Sequence, residues 1–228
     1  MAIIADNLAH VRARVARACA DAGRLVESVT LLGVSKRVAP ATVREAVLLG
    51  LRGLGENQVQ EGLDKIDALA DLRDRIEWHL IGPLQSNKTR VVAERFDWVQ
   101  SIDRLKVAER LSAQRPADLA PLQVCLQVNT SGEATKSGLA PAELASVAAA
   151  VERLPRLRLR GLMAIPAPLE GFEAQRASHR ALRELFEGLV GAGHALDTLS
   201  MGMSADLEAA VAEGSTMVRV GTAIFGSR

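Results

Sequence analysis

Residues Val29 to Lys36 read VTLLGVSK, an apolar and β-branched run that ends abruptly in a lysine. This composition is typical of a strand buried on both faces, the kind found in parallel sheets. A lysine that ends such a strand meets solvent at the strand's carboxyl end, where apolar walls disfavour the ammonium form and lower its pKa. Lys36 is therefore a candidate nucleophilic amine. The alternative is a lysine whose stem covers the strand end while its amine stays in water.

After this strand, strand-like and helix-like patterns alternate to the end of the chain. Seven further strands are predicted, at residues 51–57, 77–84, 97–103, 122–129, 157–165, 198–203 and 217–225. The helices predicted among them include 59–72, 141–154, 173–190 and 204–213. In front, five residues recur at helical spacing and predict an extra helix: Ile4, Leu8, Val11, Val15 and Cys19.

This count predicts the α/β class and a single (β/α)8 TIM barrel domain over residues 1–228, with one extra N-terminal helix. The alternative fold is an open doubly wound sheet. Such a sheet usually carries a glycine-rich phosphate fingerprint after its first strand, and VSKRVAP at residues 34–40 is not one.

Composition excludes several classes of function. The chain has 28 basic and 27 acidic residues, and aromatic residues make up 3% of it, so we expect no nucleic-acid partner. Cys19 and Cys125 stand in no metal-ligand spacing, which suits free thiols in the cytoplasm and no metal site. No apolar run approaches the length of about eighteen residues that a membrane helix needs, so we expect no membrane partner. A monomer is the expected state.

In a parallel barrel, the chemistry lies at the carboxyl ends of the strands. The residues predicted at those ends are Lys36, Asn57, Gln85, Ser101, Asn129, Met163, Ser200 and Gly221. We include Asn57 among the predicted cofactor-binding residues.

The last two strands carry residues that are suited to phosphate. Barrels often bind phosphate with the loops after strands seven and eight. Gly202 permits close backbone approach, Ser204 begins a helix, and Gly221 and Thr222 supply N–H groups and a hydroxyl. Each of these residues taken alone is equally suited to an ordinary turn or helix cap.

Arg219 is a candidate for a charged group inside the barrel. Along MVRVG, Arg219 shares one strand face with Met217, so it points inward if Val218 and Val220 face the helices. A buried guanidinium requires a partner. That partner is either Glu56 or a ligand's ring nitrogen or anion.

Together, a nucleophilic lysine, an inward arginine and a phosphate cradle describe a site for pyridoxal phosphate. The chain also resembles the YggS/PROSC family of pyridoxal phosphate homeostasis proteins, nearly end to end. The shared motifs are VSK (34–36), GEN (55–57), WHLIGPLQSNK (78–88), NTSGEATKSG (129–138), SMGMSADLEAA (200–210) and GSTMVRVGTAIFG (214–226).

This resemblance implies a free-standing alanine racemase barrel domain with Lys36 as the Schiff-base lysine. It also implies that Arg219 faces the pyridine nitrogen, with Ser200, Ser204, Gly221 and Thr222 around the phosphate. Lys136, in the KSG motif, is either an auxiliary binding lysine or a solvated loop residue. Many relatives have a proline three residues after the lysine, whereas here RVA separates Lys36 from Pro40.

Two functions remain open, with no catalytic residue assigned. The first is a protein that holds pyridoxal 5'-phosphate and supplies it to apo-enzymes. The second is a weakly active, racemase-like enzyme acting on amino acids. The racemases of this fold use a tyrosine from an added domain as their second acid or base, and this chain contains no tyrosine. His79 is the residue that could replace it, although a histidine within a strand more often satisfies local polar groups. We therefore expect a carrier rather than an enzyme.

Overall fold

Eight parallel strands close into a barrel in the computed structural model, which describes residues 2–131 and 137–226. They are β1 (Thr30–Val34), β2 (Gly53–Glu56), β3 (Glu77–Leu80), β4 (Trp98–Ile102), β5 (Leu122–Gln127), β6 (Leu157–Met163), β7 (Thr198–Ser200) and β8 (Met217–Val220). Each strand pairs with the next along the chain, and β8 pairs with β1 to close the ring. The predicted (β/α)8 barrel is therefore confirmed.

Helices surround this barrel on its outer side. They are α1 (Ala2–Asp21), α2 (Pro40–Leu48), α3 (Val59–Ala68), α4 (Thr89–Arg95), α5 (Leu105–Gln114), α6 (Leu144–Glu152), α7 (Phe172–Gly191), α8 (Leu207–Ala212) and α9 (Thr222–Phe225). Short 3-10 turns lie at Val26–Ser28, Ala70–Arg75, Ser86–Lys88 and Pro141–Glu143. None of the helices formed by residues 2–131 and 137–226 is long and apolar enough to cross a membrane.

The extra N-terminal helix α1 packs against α8 and α9. Its apolar stripe is buried at the five predicted positions, Ile4, Leu8, Val11, Val15 and Cys19. At its start, the Asn7 side chain donates to the carbonyl of Ile224, with 3.0 Å between Nδ2 and O. Since one face of α1 is apolar and covered, this helix belongs to the outer layer of the barrel.

Strand side chains alternate between the space beneath the helices and the barrel interior. Leu54 of β2 and Leu80 of β3 belong to the large apolar cluster shared with the helices. Leu32, Ile81 and Met217 form a separate cluster inside the barrel, with Val34 packed against it. This alternation decides which side chains reach the barrel mouth.

The structure corrects the predicted ends of two strands near the mouth. Strand eight is predicted to reach residue 225, but β8 ends at Val220 and the next residues turn into α9. Strand seven is predicted to reach residue 203, but β7 ends at Ser200. Gly202 has φ +92°, a left-handed conformation that interrupts an extended strand and that favours glycine.

Other ends also differ from the prediction; β5 and β6, for example, each end two residues earlier than predicted. Strand three is predicted to reach residue 84, but β3 ends at Leu80, before Pro83, which has no N–H to donate to a ladder. The helix predicted at 59–72 ends at Ala68 and gives way to the 3-10 turn. The helix predicted from residue 204 begins at Leu207.

Candidate functional site

Lys36 lies two residues beyond the end of β1, at the carboxyl-end mouth of the barrel. The pairing of β1 with β2 continues through Ser35, whose N–H donates to the carbonyl of Gly55 at 3.1 Å. Lys36 therefore follows the alternation that places Leu32 and Val34 inside. Its side chain is partly buried, and its amine forms no hydrogen bond or ion pair within residues 2–131 and 137–226.

A buried ion pair lies behind this lysine, on the outer face of the wall. Lys65 of α3 contacts Glu56 at the end of β2, with 2.8 Å between Nζ and Oε1, and both side chains are buried. Lys65 also donates to the carbonyl of Ser35, and the Ser35 hydroxyl donates to Glu56 Oε1 at 2.6 Å. The residue before Lys36 is thus fixed by both its hydroxyl and its carbonyl.

The residue after Lys36 is held from the same helix. Arg37 has φ +59°, which is uncommon for a residue other than glycine. Its N–H donates to the carboxylate of Glu61, and Glu61 also accepts from Lys65 at 2.8 Å. Glu61 and Lys65 therefore fix the backbone on both sides of Lys36 while leaving its amine uncommitted to any described residue.

These contacts exclude one of the two partners proposed for Arg219 and leave the ligand as a prediction. Glu56 is not its partner, because the Glu56 carboxylate faces α3 and binds Lys65 and Ser35. Burial raises the pKa of Glu56, and the hydrogen bonds from Lys65 and Ser35 oppose that shift. Its second oxygen, Oε2, has no hydrogen-bond partner within the described part of the chain.

Arg219 lies inside the barrel, as the strand alternation predicts, and is 3% exposed. Its guanidinium donates to Ser200 Oγ at 2.7 Å and to the carbonyl of Ala164 at 2.8 Å. Burial lowers the pKa of Arg219 to about 10, although the nearby carboxylate of Asp206 acts in the opposite direction. Arg219 consequently remains a charged donor at neutral pH.

A chain of hydrogen bonds continues from Arg219 down the barrel interior. The Ser200 hydroxyl donates to Gln100 Oε1 at 2.6 Å, and the Gln100 amide donates to His79 Nδ1 at 3.0 Å. Sequence reasoning missed Gln100. Its place in DWVQSID, two residues after the inward Trp98, is the signal that would have found it.

His79 lies at the inner end of these hydrogen bonds, deep in the barrel, rather than at the mouth. Its ring is fully buried and stacks on Trp98, with 5.0 Å between ring centroids. Burial lowers the pKa of His79 to about 3, so the imidazole is neutral at physiological pH. His79 therefore has the contacts expected from the sequence, those of a hydrogen-bonded residue inside the barrel.

The loop after β7 approaches β8 closely at Gly202. A Cβ built there would lie 2.4 Å from the Cβ of Ala210, so no larger residue fits without movement. The Gly202 carbonyl accepts the Arg219 N–H at 2.9 Å. Ser204 follows, partly buried, and its carbonyl accepts from Arg14 of α1 at 2.9 Å. Nothing in the sequence pattern indicated this contact from α1.

Asp206 organises the same loop. Its carboxylate accepts the N–H of Met203 at 2.6 Å and lies 3.0 Å from His179 Nε2. The pKa of Asp206 is lowered: burial tends to raise it, but the hydrogen bonds from His179 and Met203 outweigh burial. The loop that carries Gly202 and Ser204 is therefore held in one conformation.

Gly221 and Thr222 lie beside this loop, where β8 gives way to α9. Gly221 is partly exposed, and the Thr222 side chain is exposed. The carbonyl of Gly221 accepts the N–H groups of Ile224 and Phe225, at 2.9 and 3.0 Å. The first N–H groups of a helical turn have no partner within the turn, so they are available to an anion.

Asn57 is the last of the predicted cofactor-binding residues. It follows β2 beside Lys36, is partly buried, and borders a cleft of about 410 Å³ together with Gly82, Gln127, Ser137 and Met203. Lys136 lies outside the described residues. The mouth thus combines an amine just after β1, a guanidinium on the adjacent β8 and a glycine-containing corner formed by the loops after β7 and β8.

Neither a metal site nor an exposed thiol is found in the described part of the mouth. Within residues 2–131 and 137–226, no group of three His, Cys, Asp or Glu side chains has the arrangement of a metal site. Cys125 is inside the barrel, and burial raises the pKa of its thiol to about 12. Among its described residues, the mouth therefore offers an amine, from Lys36, and a fixed donor, from Arg219.

Comparison with known proteins adds three kinds of finding. The family described as "Alanine racemase, N-terminal domain" matches residues 5–228. The "Pyridoxal phosphate homeostasis protein" of Pseudomonas aeruginosa is 59% identical over 228 residues, covering 100% of this chain and 97% of the relative. The protein of that name from Escherichia coli is 55% identical over 226 residues, covering 99% and 97%.

Among solved structures, PipY of Synechococcus elongatus with PLP bound superposes with a TM-score of 0.85 and 38% identity, covering 98% of this chain and 100% of PipY. An alanine racemase of Clostridium difficile superposes with a TM-score of 0.77 and 16% identity, covering all of this chain and 57% of the racemase. At that identity the racemase supports the fold alone.

Proposed function

This chain belongs to the family of pyridoxal phosphate homeostasis proteins, and from that premise we propose that it binds pyridoxal 5'-phosphate, holds it on Lys36 and supplies it to apo-enzymes in the cytoplasm. We treat residues 1–228 as one cofactor-binding domain. The observation that supports the proposal most is that one barrel mouth holds both a lysine just after β1, with no partner among the described residues, and a buried arginine on the adjacent β8.

The residues at the mouth fit each part of this cofactor. Bound pyridoxal 5'-phosphate supplies an aldehyde that reacts with a primary amine and a ring that withdraws electrons. The Lys36 nitrogen would form the double bond of a Schiff base to the aldehyde carbon, while the aldehyde oxygen leaves as water. Arg219 would donate to the pyridine nitrogen.

The phosphate would lie at the corner formed by the two loops after β7 and β8. Gly202 leaves room for close backbone approach there, and Ser204, Gly221 and Thr222 surround the corner. The Ser200 hydroxyl already binds Gln100 and Arg219, so we assign to it the task of holding the arginine. Asn57 would border the cofactor from β2.

Three features favour holding the cofactor over using it in catalysis. The chain has no tyrosine, the residue that the related racemases use as their second acid or base. His79 is neutral, buried and engaged beneath Gln100. Arg219 keeps its proton at neutral pH, so the ring nitrogen would remain an acceptor and the ring a weak electron sink.

A spectrum of the purified protein with cofactor, taken before and after addition of a panel of amino acids, tests this proposal. We expect a Schiff-base absorption band, no product, and no incorporation of deuterium at the amino acids' α-carbons. Mixing the loaded protein with several apo-enzymes should then restore their activities. Rapid deuterium incorporation would favour the weak enzyme, and failure to bind the cofactor would contradict both functions.

A further inference from the structure

A second cavity opens at the amino-terminal end of the barrel, opposite the mouth that carries Lys36. Its volume is about 620 Å³, which lies in the range of small-molecule sites. Its walls come from the segments that enter the strands, and they include five arginines: Arg52, Arg73, Arg75, Arg115 and Arg160. The three carboxylates in these walls are Asp74, Glu77 and Asp97.

Two of the five guanidinium groups are neutralised within the protein. Arg73 lies 2.5 Å from a carboxylate oxygen of Asp97. Arg160 makes a bidentate pair with Asp197, with 2.7 Å at its shortest contact. Arg52, Arg75 and Arg115 therefore remain opposite Asp74 and Glu77, which leaves a surplus of positive charge.

Of these three arginines, Arg115 is the buried one. It is 5% exposed, and it donates to the carbonyls of Ala93 at 2.7 Å, Phe96 at 2.8 Å and Ala120 at 2.9 Å. It makes no ion pair with any carboxylate in residues 2–131 and 137–226. Burial lowers its pKa, and the charge of Asp97 partly offsets that shift. A guanidinium buried in this way is stabilised by a nearby anion.

Arg52 and Arg75 form the exposed rim of the cavity. The pairing of β2 with β3 brings their segments together, since the N–H of Glu77 donates to the carbonyl of Arg52 at 2.8 Å. Neither guanidinium has a hydrogen bond or ion pair to another described residue. Both are free to close on a ligand that accepts from paired N–H groups.

The aromatic residue of the cavity, Trp98, is 6% exposed and already packs against two groups. The Trp98 ring stacks on His79, and the Arg160 guanidinium lies 4.9 Å from its centroid. A nucleobase would therefore find no open ring to stack on. The cavity offers charge and hydrogen-bond donors instead.

We propose that this cavity binds a small phosphate-bearing anion, either inorganic phosphate or a phosphate monoester. The planar fork of arginine matches phosphate oxygens, and three guanidinium groups against two carboxylates complement an anion. This site is separate from the cofactor site in position and in residues.

Titration calorimetry with inorganic phosphate and with methyl phosphate tests the proposal on the cofactor-loaded full chain, in which the phosphate corner of the mouth is already filled, at constant ionic strength. We expect saturable binding that Arg52→Gln/Arg75→Gln weakens by at least about tenfold. The control Arg17→Gln/Arg90→Gln removes the same charge from exposed positions on other helices and should leave binding unchanged. Binding of methyl phosphate points to a phosphorylated metabolite, whereas binding of inorganic phosphate alone points to the free ion.

Tryptophan fluorescence gives the position of the bound anion, because Trp98 borders the cavity and Trp78 is the only other tryptophan. In a Trp78→Phe variant, phosphate should change the emission of Trp98. The proposal is wrong if binding is absent, if chloride displaces phosphate equally well, or if both arginine pairs weaken binding alike. It is also wrong if Thr222→Ala, at the opposite end, removes the binding.

Discussion

On one side of the barrel mouth the Lys36 amine has no partner among the described residues, whereas on the other side the Arg219 guanidinium donates to two oxygens. The lysine is positioned through its backbone neighbours, by an ion pair outside the barrel wall. The arginine is positioned through its own side chain, by a hydrogen-bond chain inside the barrel. A nucleophile must be positioned correctly while its reactive atom remains free. A donor that only binds a ligand works best when its side chain is held in one position.

Lys36→Ala should produce the largest effect, because it removes the sole atom proposed to attach the cofactor covalently. We expect the Schiff-base absorption band to disappear, while weak noncovalent binding through Arg219 and the phosphate corner persists. Absorbance spectroscopy during a cofactor titration measures both. Lys106→Ala, an exposed lysine on α5, is the matched control and should keep the band.

Lys65→Met tests the charged support behind the lysine. It leaves the Glu56 carboxylate buried without its cation, which should lower the free energy of unfolding by about 3–5 kcal/mol. Denaturant unfolding measures this loss. Adding Glu56→Gln to Lys65→Met should recover part of it, since the buried charge is then removed. An unchanged stability in Lys65→Met would show that the ion pair does not support the β1–β2 side.

Gln100→Leu tests the neutral support beneath the arginine. It removes the acceptor of the Ser200 hydroxyl and the donor to His79, and should cost about 1–3 kcal/mol of stability. This loss is smaller than that of Lys65→Met because no charge is left unpaired. The same unfolding experiment compares the stability lost on the lysine side with that lost on the arginine side. A larger loss for Gln100→Leu than for Lys65→Met would contradict the expected order.

Thr222→Ala should give the smallest effect, confined to the phosphate corner. Loss of one hydrogen bond to a charged group should weaken cofactor binding by about 1–3 kcal/mol. Titration with pyridoxal, which lacks the phosphate, is the control and should show far less change. Equal losses for the two ligands would place Thr222 away from the phosphate.

The parts of the fold that depend on local pattern were predictable from the sequence. Apolar runs such as VTLLGVSK, alternating with helical segments, are sufficient to predict the barrel. The period of two along MVRVG predicts the inward direction of Arg219. Strand ends were less predictable, because Gly202 and Pro83 end strands through conformations that the apolar pattern does not show.

The supports of the site could not be predicted, because they depend on distant pairs. Gln100 and Ser200 are 100 positions apart, and nothing local indicates that they meet. Lys65 belongs to a polar-faced helix, where a solvated lysine is the ordinary expectation. Its burial against Glu56 follows only from the packing of α3 on the barrel.

Borohydride reduction of the cofactor-loaded protein, followed by peptide mapping, identifies the lysine that carries the cofactor. Reduction converts a Schiff base into a stable secondary amine and so marks the lysine that carried the cofactor. We predict one pyridoxyl group per chain, on the peptide that contains Lys36. Stoichiometric labelling of another lysine, such as Lys136 or Lys88, with Lys36 unmodified, would contradict it.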